Sequence, residues 1–335
     1  MNETKDHKSL VDSAEVDSFI AKQKLSVINE DLMLPAAVIY KSGLKNNIQW
    51  MQAYANNKGV MLAPHGKTTM TPDLFLAQID AGAWGMTLAT AEQVAIAYQH
   101  GIKRVLMANQ LVGKGNMEMI SRIIEDAEVE FYCLVDSLTN ISQLDSFFSA
   151  KKQKLNLLIE IGPKNARCGC NDSEVARELA LAIKDSAYLE LAGIEFYEGV
   201  LTTQDEVDDF LKIVSGVFDY LNSHSLFTAS KIILSGAGSA WYDRVSQQFA
   251  SHKKEGVTYL IRPGCYLTHD SGIYEVAQNQ LLERDSAARN MPTQLESSLE
   301  VWAYVLSTPV NGDFAIAGLG KRDAAYDAGL PIPMK

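Results

Sequence analysis

The sequence predicts an α/β fold, a (β/α)8 TIM barrel followed by the start of a C-terminal β domain, on three observations. From residue 36 onward, short apolar runs alternate with helical patterns whose apolar residues recur at spacings of three and four. Eight such runs follow the first helix, the strand number of a closed parallel barrel. Past residue 275 the texture changes to alternating strands without intervening helices. Near-continuous apolar strands between helices signal a parallel sheet covered by helices. The doubly wound open sheet is the competitor, disfavoured because no strand is followed by a G-x-G-x-x-G turn opening a helix.

Residues 1–33 read as a polar helical arm, and "AAVIY" (36–40) as the first strand. The barrel strands are then "VMLAPH" (60–65), "GMTLAT" (85–90), "RVLMAN" (104–109) and "VEFYCLVD" (129–136). They continue with "LNLLIEIG" (155–162), "LAGIEFY" (191–197), "KIILSG" (231–236) and "VTYLIRPG" (257–264). Segments such as "DLFLAQIDAG", "AEQVAIAYQHG", "SEVARELALAIK" and "EVDDFLKIVSGVFDYLNS" supply the helices between them. "SLEVWAYVLSTPV" and "DFAIAGLGKRD" alternate as strands do. The expected domains are an N-terminal arm (1–34), a barrel (35–270) and an incomplete C-terminal β domain (271–335), which stops at "GLPIPMK" without a closing element.

With 335 residues, 47% hydrophobic and 21% charged, the chain has ample material for a large core. A net charge of −11 with no basic block argues against nucleic acid or an anionic membrane as partner and points to a small molecule. No apolar run reaches the ~18 residues of a membrane helix, and the N-terminus lacks a signal-peptide core, so a cytoplasmic location is expected. Cys133, Cys168, Cys170 and Cys265 do not form a disulfide framework. Cys168 and Cys170 stand as C-x-C without a second pair, so no metal site is assigned to them.

Active sites of such barrels form where strands run into their following loops. Those strand ends bring His65 and Lys67, Thr90, Asn109 and Gln110, Asp136 and Ser137, Glu160 and Arg167. The remaining three bring Tyr197 and Glu198, Ser235 to Ser239, and Arg262, Gly264, Cys265 and Tyr266. The strand period of two aims His65 and Lys67 to one side, into the barrel mouth. A lysine there is costly unless paired or deprotonated, and Schiff-base chemistry with an aldehyde uses a deprotonated amine. The plainer alternative is a solvated lysine opening a surface helix. "LSGAGSAWY" (234–242) offers Ser235, Gly236, Ala237, Gly238 and Ser239 as amide and hydroxyl donors to an anion, and "RPGCY" adds Gly264 and Cys265. Pyridoxal 5'-phosphate carries both an aldehyde and a phosphate and fits that pair of features. His7, His100, His224 and His252 read as solvated, while His269 could line the mouth.

"APHGKTTMTPDLF", "DAGAWGMTLAT", "ARCGC", "EFYEGV", "SGAGSAWYD", "RPGCYLTHD" and "GKRDAAYDAGLP" make the chain resemble the fold-type III pyridoxal-phosphate enzymes, the alanine racemase-like superfamily. Within it the similarity is to the branch of D-serine dehydratases, D-threonine aldolases and D-amino-acid deaminases, and it covers most of the chain after residue 34. The resemblance implies Lys67 as the Schiff-base lysine with His65 beside the cofactor, Arg167 reaching its phenolic oxygen or the substrate carboxylate, and Tyr197 near its ring. It places Ser239, Gly264 and Cys265 with the glycine loop on the phosphate, and Arg262 toward the pyridine nitrogen. The implied function is a lyase turning D-serine or D-threonine into 2-oxo acid and ammonia. Aldol cleavage, racemisation and a non-catalytic cofactor-binding barrel are the alternatives. A homodimer is implied, and zinc or manganese where a complete β domain supplies ligands; no His-x-Cys or His-x-Asp pair follows in this chain, so metal ligands are not assigned.

Overall fold

The computed structural model describes residues 25–164, 166–327 and 329–334. The chain forms two compact units, one of Lys41–Ser298 and one joining the segment that ends at Tyr40 to the segment that begins at Leu299. The elements begin with β1 (Ala36–Ile39), α1 (Lys41–Lys58), β2 (Met61–Leu62), α2 (Pro72–Asp80), β3 (Met86–Leu88) and α3 (Ala91–Gln99). β4 (Arg104–Gln110), α4 (Lys114–Ile123), β5 (Glu130–Val135), α5 (Leu138–Lys151), β6 (Leu155–Ile161) and α6 (Ser173–Lys184) follow. Next come β7 (Leu189–Phe196), α7 (Gln204–Ser223), β8 (Ile232–Gly236), α8 (Tyr242–Ser251) and β9 (Val257–Ile261). The larger unit ends in α9 (Ile273–Arg284) and α10 (Ser286–Arg289), and the other carries β10 (Leu299–Trp302), β11 (Val305–Ser307) and β12 (Ile316–Ala317).

Eight strands, β2 to β9, make one parallel sheet in the order β2-β9-β8-β7-β6-β5-β4-β3. The ring closes between β2 and β3 through a parallel bridge of His65 with Thr87. There Trp84 N–H donates to Leu62 O at 2.7 Å and Thr87 N–H to Pro64 O at 2.8 Å. The expected barrel is thus present, strand for strand. Alternation along the strands explains its two cores. Leu158, Leu106, Leu134, Tyr132, Ile233 and Leu260 fill the interior, while Leu157, Ile159, Val135 and Phe196 face the helices.

At β7 the alternation is reset. Leu157 pairs with Leu191 and Leu158 with Gly193, so Ala192 is an extra, bulged residue. Gly193 sits at φ 143°, and a Cβ there would lie 1.8 Å from Ile233 O, so only glycine fits. Beyond the bulge come Glu195, Tyr197 and Glu198.

Several strand-end residues expected at the active face serve the helices instead. Thr90 accepts from Gln93 N–H at 3.2 Å and Ser137 from Asn140 N–H at 3.3 Å, each capping its helix. Thr203 and Glu206 form a capping box at α7.

The unit boundaries fall elsewhere than the sequence reading put them. β1, read with the barrel, pairs antiparallel with β10, Ala36 opposite Trp302. Residues 273–284, read as the start of the β domain, are helix. The helical arm lies mainly outside the described residues; its described part, from Leu25, is turn and bend. No helix among the described residues is long and apolar enough to cross a membrane.

Candidate active site

A cleft opens at the C-terminal ends of the strands. Its lining includes His65, Lys67, Asn109, Glu160, Arg167, Glu195, Tyr197 and Arg262. Lys67 gets there by a route the sequence reading did not foresee. β2 ends at Leu62, and Gly66–Thr68 form a 3-10 turn, so the strand period of two does not reach Lys67. The turn presents it. Gly66 is needed because a Cβ there would lie 2.7 Å from Phe75 Cε1 and 2.9 Å from Leu88 Cδ2.

Lys67 is exposed rather than buried, so its ammonium carries no burial penalty of the size anticipated. Partial desolvation by the cleft walls, then the charges of Arg167 and Arg262, still lower its pKa. His65 is lowered further, to about 2, by burial and then by Lys67, so its imidazole is neutral. Arg167 is exposed, with its guanidinium 5.4 Å from the Tyr197 ring centroid.

Two buried acids stand behind these groups. Arg262, 5% exposed, is held by the Glu195 carboxylate, 2% exposed, and donates to Phe196 O at 3.0 Å. Burial raises Glu195 above the usual carboxylate range, and the Arg262 charge pulls it back only in part. Glu198, fully buried, accepts from Ala237 N–H at 3.1 Å and Gly238 N–H at 2.8 Å.

That last pair corrects the reading of the glycine loop. The Ala237 and Gly238 amides donate to the chain's own carboxylate, although both residues line the cleft. Gly236 and Gly238 are small for packing: a Cβ on Gly236 would lie 2.1 Å from Phe196 Cζ, and one on Gly238 2.8 Å from Tyr197 Cε2. The amides at the end of β9 are gathered on a hydroxyl instead. Gly264 N–H and Cys265 N–H both point at Ser239 Oγ, at 3.3 and 3.2 Å. Gly264 also lies against His65, whose carbonyl would be 2.5 Å from an added Cβ.

Sequence reasoning assigned no role to Glu195, Glu198 or Tyr274. Tyr274, from α9, is raised by burial and then by Cys265, against which it lies. A signal for the two acids existed: "GIEFYEG" puts both inside an otherwise apolar strand end. His269 is buried and does not line the cleft. On the facing wall Asp136, Glu160 and Cys168 bring donor atoms within 4.8 Å of one another. Two of them are engaged: Gly169 N–H donates to Asp136 at 3.1 Å and Gln110 to Glu160 at 2.5 Å.

The polar residues fit pyridoxal phosphate. His65 Nδ1, Arg262 Nε and Glu195 Oε2, on residues that line the cleft, are buried without a hydrogen-bond partner among the described residues. Such orphaned atoms call for a polar ligand. Lys67, Arg167 and Arg262 supply the positive field an anionic cofactor requires.

A parallel barrel whose mouth carries a lysine of lowered pKa and two arginines agrees with the fold-type III pyridoxal-phosphate class. Within that class, the family described as "Alanine racemase, N-terminal domain" matches residues 39–271, and the chain belongs to it. It is 24% identical over 305 residues to a D-threonine aldolase of an Arthrobacter species, covering 89% of this chain and 74% of that protein. It is 26% identical over 147 residues to the D-threo-3-hydroxyaspartate dehydratase of Delftia sp. (strain HT23), covering 44% of this chain and 38% of that protein. The crystal structure of D-threonine aldolase from Filomicrobium marinum superposes with a TM-score of 0.73 at 23% identity, over 90% of this chain and 78% of that one.

Proposed function

We propose that this chain is a pyridoxal-phosphate-dependent lyase of β-hydroxylated D-amino acids. The observation that carries the cofactor is the convergence of Lys67, His65, Arg167 and Arg262 on one cleft. The substrate class is supported by the relatives, whose names specify D-threonine and D-threo-3-hydroxyaspartate. When bound, pyridoxal phosphate supplies an aldehyde for Lys67 and an electron sink that stabilises negative charge at the substrate Cα.

The chain's residues divide the remaining work. Ser239 with the Gly264 and Cys265 amides holds the phosphate. Tyr197 and His65 flank the ring, His65 as a neutral hydrogen-bonding group. Arg262, held by Glu195 and Phe196 O, would offer the ring nitrogen a hydrogen-bond donor and no acceptor. Arg167 takes the substrate carboxylate or the phenolic oxygen. Lys67, its pKa lowered, takes the proton from the substrate Cα.

Dehydration to a 2-oxo acid and ammonia is the first reading. Aldol cleavage to glycine and an aldehyde is the second, favoured by the aldolase match over 89% of the chain. Product assays on D-serine, D-threonine and D-threo-3-hydroxyaspartate, with and without zinc or manganese, distinguish them. Ammonia with 2-oxo acid supports dehydration, glycine with aldehyde supports cleavage, and no turnover of any of the three rejects the lyase.

A further inference from the structure

The turn after β8 is held by an acid that neither the sequence motifs nor the chemistry above uses. Glu198 lies just beyond β7, fully buried, and both its oxygens are engaged, each by one backbone amide of the Ala237–Gly238 turn. Ala237 sits at φ 68°, a left-handed conformation that a residue with a Cβ adopts under constraint. Ala237 O in turn accepts from Arg262 N–H at 3.1 Å. Two residues on, Ser239 gathers the Gly264 and Cys265 amides. One hydrogen-bonded chain therefore crosses the ends of β7, β8 and β9, and its buried end is a carboxylate.

We propose that Glu198 is a positioning residue for the anion cradle: by occupying the two inner amides it sets the turn so that Ser239, Gly264 and Cys265 meet the cofactor's phosphate. The proposal rests on the pyridoxal-phosphate reading above. Paired backbone N–H groups form a concavity that binds an anion. Here the chain fills the inner concavity with its own anion, and the neighbouring Gly264 and Cys265 amides are gathered on the Ser239 hydroxyl, which can turn to share them with a ligand. Glu198 makes no use of the cleft itself, since it does not line it. A glutamine at 198 has one acceptor oxygen, and its NH2 would confront the second amide, leaving a buried donor unpaired. The turn would then relax, and the hydroxyl and amides beyond it would lose their common focus.

The test compares apoprotein binding of pyridoxal phosphate and of pyridoxal, which lacks the phosphate, in the unmodified chain and in Glu198→Gln. The unmodified chain prefers pyridoxal phosphate. Glu198→Gln loses at least about tenfold in affinity for it, the effect of one buried unpaired donor, while pyridoxal affinity is unchanged. Equal losses for both ligands, which a merely structural role would give, or no loss at all, overturn the proposal. Where Glu198→Gln does not yield folded protein, Glu198→Asp carries the same comparison. It keeps the charge but shortens its reach; selective weakening of pyridoxal phosphate supports the role, and equal or absent weakening overturns it. An unmodified chain without preference for pyridoxal phosphate overturns the phosphate reading itself, and the role of Glu198 with it.

Discussion

Lys67→Ala loses the visible absorbance of lysine-bound cofactor, and lyase activity falls by at least about 10³-fold, within the range for removing a positioned base. Among the described residues no second lysine lines the cleft to replace it. The fold survives the change. Lys67 is exposed, and among the described residues it makes no ion pair and no hydrogen bond through its amine. An absorbance scan beside a thermal melt reads both outcomes at once. A band that persists in Lys67→Ala, in protein melting as before, would show that another group anchors the cofactor.

Breaking the buried pair under the cleft has an asymmetric result. Glu195→Ala strands the Arg262 guanidinium at 5% exposure, where it can neither shed its charge nor reach bulk water. The expected loss is about 3–5 kcal/mol. Arg262→Met leaves the acid, which escapes the penalty by taking up a proton, so its loss is smaller, about 1–3 kcal/mol. That escape makes the second variant sensitive to pH. Burial raises Glu195 even beside Arg262, and removal of the cation raises it further. A folded-state value above the unfolded one means the folded form keeps a proton that the unfolded form releases. The stabilisation is complete below the unfolded value, about 4.3, and declines as pH rises through the folded one. Urea melts of Arg262→Met therefore weaken steadily from about pH 5 upward, more steeply than those of the unmodified chain. Equal losses in the two variants, or a stability rising with pH in Arg262→Met, would contradict a desolvated ion pair.

The barrel was legible because each of its strands is an apolar run bounded by helices of clear period. Strand-end positions and residue chemistry picked out Lys67, His65 and Arg262, which line the cleft, and the Ser239 group, which does not. What was not legible depended on partners distant in sequence. Ala36–Ile39 has four residues, and nothing within them tells that Leu299–Trp302 is the strand they pair with. α9 escaped notice because only Gln278 and Leu281 of its residues are buried, while Ile273 and Val276 are exposed, so its apolar period is weak. The glycine loop looked like a phosphate cradle because donors can be counted in a sequence and their acceptors cannot. Glu198, 39 positions before Ala237, had already taken two of them. Lys67 was assigned to the cleft by extending a strand that stops five residues earlier; the 3-10 turn gave the same outcome by different geometry.

The joint between β2 and β3 gives the ring a preferred place to breathe. β2 has two residues and β3 three, and the two meet through the single bridge at His65, whereas the other strands are laddered to their neighbours. Local opening is cheapest where the fewest main-chain bonds must part. The cleft reaches beyond this joint in both directions, with His65 and Lys67 after β2 and Ala108 and Asn109 on β4, the next strand past β3. A molecule filling it acts as a clasp across the seam. Deuterium uptake at the Trp84 and Thr87 amides, whose acceptors lie across that seam, is therefore expected to slow when cofactor is loaded, which makes the barrel's closure itself a reporter of occupancy.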